Sequence, residues 1–144
     1  MTGKPALRSP TRQQLEAAVA LYEAGQFKDL RDYVMELLKE FPCAPVLWNF
    51  LGVGHKFLGE VHEAVAAYEH ALSLDSNLLV AHNNLGNALR EQGRLDEAIA
   101  AYQRALELDP SYSAIEASIF HQKQHICDFS VEEALAVSSP RLGV

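Results

Sequence analysis

A repeat of 34 residues restricts what this chain can fold into more than any other feature. Segments 45–78 and 79–112 align without a gap and agree at 14 of 34 positions. The matches include Leu51/Leu85, Gly52/Gly86, Gly59/Gly93, Ala64/Ala98, Tyr68/Tyr102 and Ala71/Ala105. A period of this length means a small supersecondary unit that buries its apolar face only by stacking on its neighbours. The same ruler laid over 11–44 finds Ala17, Ala18, Gly25, Leu30, Val34, Leu37 and Pro42 in corresponding places, a chemical rather than a literal match. Laid forward from Ser113, it finds Ile119 in register. Phe120 then stands where glycine stood, and Cys127 holds the turn place.

Within each unit the apolar spacing is that of two amphipathic helices. In the second unit the first helix carries Leu47, Trp48, Leu51, Gly52 and His55. Gly59 ends it, because glycine takes the left-handed conformation that closes helices. The second helix carries Val61, Ala64, Val65, Tyr68, Ala71 and Leu72. Small residues mark the crossing, so Gly52 is expected to face Ala64 and Gly86 to face Ala98. Pro110 is expected to open the next unit as a first-turn proline. The whole chain is expected to be all-α, with seven helices and a short eighth after residue 130. That eighth opens at Ser130-Val-Glu-Glu133, which fits a capping box. Residues 1–9 form a tail, 10–126 three repeats plus a capping helix, and 127–144 a short helix and the start of a linker.

Composition narrows the function. Hydrophobic residues are 49% of the 144 and charged residues 22%, which suits a folded globular chain and argues against disorder. Twelve Lys+Arg against 19 Asp+Glu leave a net charge of −7, and no two basic residues are adjacent. Nucleic acid is therefore not the expected partner. The apolar runs are too short to span a membrane, and residues 1–10 lack the apolar stretch of a secretory signal. Two cysteines, Cys43 and Cys127, are too few for a disulfide framework and fit free thiols in a cytoplasmic protein.

The W-x2-L-G pattern at Trp48, Leu51 and Gly52 resembles the tetratricopeptide repeat. Ala64, Tyr68, Ala71 and Pro110 extend the resemblance, and the pattern recurs in phase. What the resemblance implies is a right-handed superhelix of helix pairs with a concave groove lined by the first helix of each pair.

Catalytic signatures do not appear. There is no G-x-S-x-G, G-x-x-x-x-G-K or H-E-x-x-H, and Gly52-Val53-Gly54 lies inside a helical pattern rather than a phosphate loop. His121 and His125 are four apart with Cys127 beyond, a spacing that suits a metal. The zincin base is missing, however, and no fourth ligand stands nearby, so a polar helix face is the preferred reading. Asp75 and Asp109, at the ends of second helices, read as turn formers. No cofactor, metal or catalytic site is expected.

Function is expected in the groove. The first-helix residues that avoid the core stripe are Asn49, Val53, Lys56 and Phe57 in unit two. In unit three they are Asn83, Asn84, Asn87, Arg90 and Glu91. An asparagine amide both donates and accepts, so it pairs with an extended peptide backbone whatever the peptide's sequence. The expected peptide-binding set is Asn49, Val53, Lys56, Asn83, Asn84, Asn87 and Arg90.

Two subclasses of the resembled family make finer demands. Chaperone-binding members clamp a terminal carboxylate with Lys, Asn and Arg, but the matching places here hold Leu15, Val19, Ala114 and Ser118. Asn84 alone fits. The O-linked N-acetylglucosamine transferases and their bacterial relatives carry asparagines before the Leu-Gly pair, and Asn84 before Leu85-Gly86 matches. The segment His121 to Phe129, ending Cys-Asp-Phe, is similar to their exit from the last repeat, and a like segment precedes sulfotransferase-like regions in bacterial repeat proteins. The leading expectation is a protein-interaction module. The alternative is the recognition segment of a larger glycosyltransferase or sulfotransferase, not catalytic by itself, and an oligomerisation unit is a third. The ligand's identity and the oligomeric state are not written in the sequence.

Overall fold

A computed structural model describes residues 9–111. They form six α-helices: α1 Arg12–Glu23, α2 Phe27–Glu40, α3 Pro45–Phe57, α4 Val61–Leu74, α5 Leu79–Glu91 and α6 Leu95–Leu108. Among the described residues there is no strand. The expected seventh and eighth helices, and the helix Pro110 was expected to open, lie outside the described residues.

Each boundary has a local cause. Thr11 caps α1 through a reciprocal pair, Gln14 N–H to Thr11 Oγ1 at 3.1 Å and Thr11 N–H to Gln14 Oε1 at 2.9 Å. Gly25, Gly59 and Gly93 hold φ of 75°, 84° and 80°, where side-chain-bearing residues are strained. The residue after each glycine donates five back: Gln26 to Leu21, Glu60 to His55 and Arg94 to Leu89, at 2.8–3.0 Å. These bonds satisfy carbonyls the helix ends would otherwise orphan. The second helices α4 and α6 close on aspartate, whereas α2 closes on Phe41. Asp75 and Asp109 have nearly identical backbones, φ −148° and −150°, and their Oδ1 atoms accept from Asn77 N–H and Ser111 N–H at 3.0 and 3.1 Å. They are the turn formers the sequence suggested.

The pairs α1/α2, α3/α4 and α5/α6 stack in order, with α2 against α3, α4 against α5, and α3 touching α5. At the α3/α4 and α5/α6 crossings a ring sits on a glycine. A Cβ at Gly86 would lie 2.5 Å from the Tyr102 ring, and one at Gly52 would strike Tyr68. The atoms nearest a Cβ at Gly86 all belong to Tyr102. Ala98 and Ala64 are buried beside the crossing and leave room for the ring. Tyr68 and Tyr102 are among the most deeply buried side chains. Unit one reaches the same density with other residues. Ala18 stands at the glycine place, Val34 at the tyrosine place and Leu30 at the alanine place, and all three are fully buried. The smaller knob is matched by a larger floor and flank, as a close-packed interior requires.

Candidate functional site

The first helices α3 and α5 carry the expected contact residues, and the structure places most of them deeper than the sequence suggests. Asn49, Asn83, Asn84 and Asn87 are 1–2% exposed, and Val53 is fully buried. They lie outside the apolar stripe of their helices, yet α3 and α5 are buried on almost every side. The physical reason is the seam between successive first helices. Asn84 Nδ2 donates to Asn49 Oδ1 at 3.1 Å, joining α5 to α3 across 35 residues, one repeat plus one. Within its own unit, Asn87 Oδ1 accepts from the Tyr102 hydroxyl. These amides are therefore partly engaged inside the array, in surroundings where a hydrogen bond is strong and an orphaned amide is costly.

Lys56 and Arg90 stand one repeat apart and are both half-buried. Lys56 Nζ pairs with Glu91 Oε2 at 3.0 Å and lies 5.0 Å from the centre of the Phe57 ring. Phe57 is 40% exposed and stacks on Phe27 at 4.5 Å, with Tyr22 edge-on to both. Sequence reasoning placed Phe57 in this region but missed the three-ring group. Its signal was available, since Phe27 and Phe57 stand at the second-helix start and the next first-helix end of adjoining units.

A second group missed by sequence lies at the α2–α3 junction. His55 Nδ1 is 2.7 Å from Glu60 Oε1, and Arg31 reaches the other oxygen at 3.4 Å. The His55 hydrogen bond, with Arg31 adding to it, holds the Glu60 carboxyl below the usual range. Gly54 lets α3 approach Arg31 closely: a Cβ at Gly54 would lie 3.3 Å from Arg31 Cβ and 3.4 Å from its backbone.

His82 gives a pH dependence. Burial pushes its imidazole below the ordinary histidine value, the Ser76 carbonyl at 2.9 Å opposing. The folded chain holds it neutral where an unfolded chain binds a proton. Its contribution is complete above about pH 6.5 and falls as pH drops from there toward the folded value. Thermal unfolding at about pH 7.5 and about pH 5.5 should show a larger loss for the native chain than for His82→Gln.

Among the described residues no group of His, Cys, Asp and Glu is placed to hold a metal, and no helix is long and apolar enough to cross a membrane. His121, His125 and Cys127, and the Cys-Asp-Phe segment, lie outside the described residues.

Comparison with known proteins agrees with this architecture. The tetratricopeptide-repeat family matches twice, at residues 46–78 and 80–112. No curated protein sequence matches. Among solved structures, the first repeat domain of Spaghetti (RPAP3), bound to the HSP90 peptide SRMEEVD, superposes with a TM-score of 0.73 at 21% identity. That match covers 92% of this chain and 99% of the other. The first repeat domain of human RPAP3 gives 0.71 at 21%, covering 87% and 91%. The Arabidopsis OM64 repeat domain gives 0.71 at 20%, covering 78% and 93%. The all-helical array described above, with its glycine-tyrosine crossings repeating at 34 residues, is a tetratricopeptide-repeat fold. Residues 46–78 and 80–112 are tetratricopeptide repeats.

Proposed function

We propose that the chain is a protein-interaction module that takes an extended peptide along the α1–α3–α5 side. The observation that carries this reading is the line of Asn49, Asn83, Asn84 and Asn87 on two adjoining first helices, flanked by half-buried Lys56 and Arg90. The four amides are buried, and the Asn49–Asn84 bond among them holds the α3–α5 seam that backs this side of the array. The two half-buried cations beside them favour an acidic neighbour. The likeness to a repeat domain solved with a peptide supports the same reading. The chaperone-tail clamp does not carry over, because Leu15 and Val19 stand at two of its places and both are buried. The ligand is accordingly an internal stretch of an acidic chain rather than a terminal carboxylate.

Peptides selected from a random display library on the full chain test this. Bound sequences should be enriched in Asp and Glu. Arg90→Glu should weaken them by about tenfold, since a hydrogen bond to a charged group contributes about 1.5–3 kcal/mol. Arg104→Glu, on the exposed face of α6, should leave them unchanged. Equal affinity in Arg90→Glu and the native chain would remove the cation from the site.

A further inference from the structure

We infer that Glu91 is the built-in occupant of a carboxylate site at Lys56, and that it sets how acidic a bound peptide must be. The inference rests on the peptide-binding reading above and adds a specificity-determining residue to it.

The α3–α5 seam joins residues that stand 35 apart. Deep in it, Asn84 Nδ2 donates to Asn49 Oδ1. About two helical turns further along each helix, Lys56 Nζ pairs with Glu91 Oε2 at 3.0 Å. The same seam place one repeat earlier, between α1 and α3, holds Tyr22 and Phe57 as an edge-on ring pair with centres 5.9 Å apart. Apolar rings thus satisfy the packing of this place in one repeat. The next repeat carries a cation and an anion there instead, partly in water, where an ion pair adds little to stability. The stacking of the helices does not require these charges, which points to a ligand.

The two partners are held unequally. The Lys56 side chain is 13% exposed, and its ammonium lies 5.0 Å from the centre of the Phe57 ring. It is a fixed cation. The Glu91 side chain is 43% exposed and stands on the last residue of α5, where the helix dipole disfavours an anion. Glu91 is therefore the partner that leaves when a peptide carboxylate arrives. One ion pair breaks, an equivalent one forms, and Glu91 turns to water. A neutral peptide has nothing to exchange for it and leaves Glu91 seated.

Fluorescence anisotropy of fluorescein-labelled octaglutamate, titrated with the full chain, tests this. Glu91→Gln empties the site and should tighten binding about threefold, the worth of a part-exposed ion pair. Glu91→Asp keeps the charge but shortens the reach to Lys56, and it should tighten binding as well. Glu107→Gln, which removes the same charge from the Arg104 pair on α6, should change nothing. Tightening by Glu91→Gln but not by Glu91→Asp would reduce the effect to plain repulsion and overturn the inference. A lower thermal midpoint in Glu91→Gln with no tightening would make the pair a structural staple and overturn it too. If Arg90→Glu still weakens octaglutamate in that case, the peptide-binding reading survives alone. Octaglutamate that binds neither the native chain nor Glu91→Gln would remove both.

Discussion

Gly86→Leu should unfold the array or lower its thermal midpoint by about 10 °C or more, taking 4–8 °C per kcal/mol for a domain of this size. Even a single Cβ at this position would lie 2.5 Å from the Tyr102 ring, and Tyr102 is 2% exposed. The tyrosine hydroxyl is also tied to Asn87, so rotating the ring away breaks a buried hydrogen bond. Overpacking costs about 1–3 kcal/mol and more when the neighbour is held. A second chain position separates packing from helix propensity. Ala100, exposed on α6, should tolerate leucine with little change in the midpoint. An unchanged midpoint in Gly86→Leu would contradict the crossing described here.

The double change Asn84→Ala, Asn87→Ala should have two effects. Read from sequence, these amides looked like groove residues whose removal spares the fold. Their burial changes that expectation. Asn84→Ala leaves Asn49 Oδ1 without its donor, and Asn87→Ala takes the acceptor from the Tyr102 hydroxyl. Each loss costs about 1–3 kcal/mol when the remaining group stays buried. Chemical denaturation should show that loss directly. Peptide affinity, measured at a temperature where the variant is still folded, should fall by roughly tenfold, equivalent to 1.4 kcal/mol. Lowered stability with unchanged affinity would make the two asparagines purely structural.

Much of the fold was legible because the repeat supplies two independent constraints. Gly52 and Gly86, Ala64 and Ala98, and Tyr68 and Tyr102 recur in phase, so the helix pairs follow from spacing, while the seating of each ring on a glycine does not. Small residues mark the crossing, but they do not name the ring that fills it. A glycine makes space for a large residue, and the ring four positions beyond Ala98 fills it. Unit one was visible only as chemistry, because Ala18, Leu30 and Val34 trade volume among three places and no single one matches.

The candidate site was less legible. Period within one helix assigns Asn49, Val53, Asn83 and Asn87 to a face, but it does not say what covers that face. The Asn49–Asn84 seam joins residues one repeat plus one apart, a separation that the alignment of identical places hides. The His55–Glu60–Arg31 group needed the close approach allowed by Gly54, which looked like ordinary helix content.

The most direct measurement is a backbone and side-chain amide NMR titration of the full chain with an acidic peptide from the display selection. The account predicts the largest shifts at Lys56, Arg90 and the side-chain amides of Asn49, Asn83, Asn84 and Asn87, with His62, Glu69 and His70 on the exposed face of α4 unmoved. Shifts centred on α4 and α6, with those four amides silent, would contradict it.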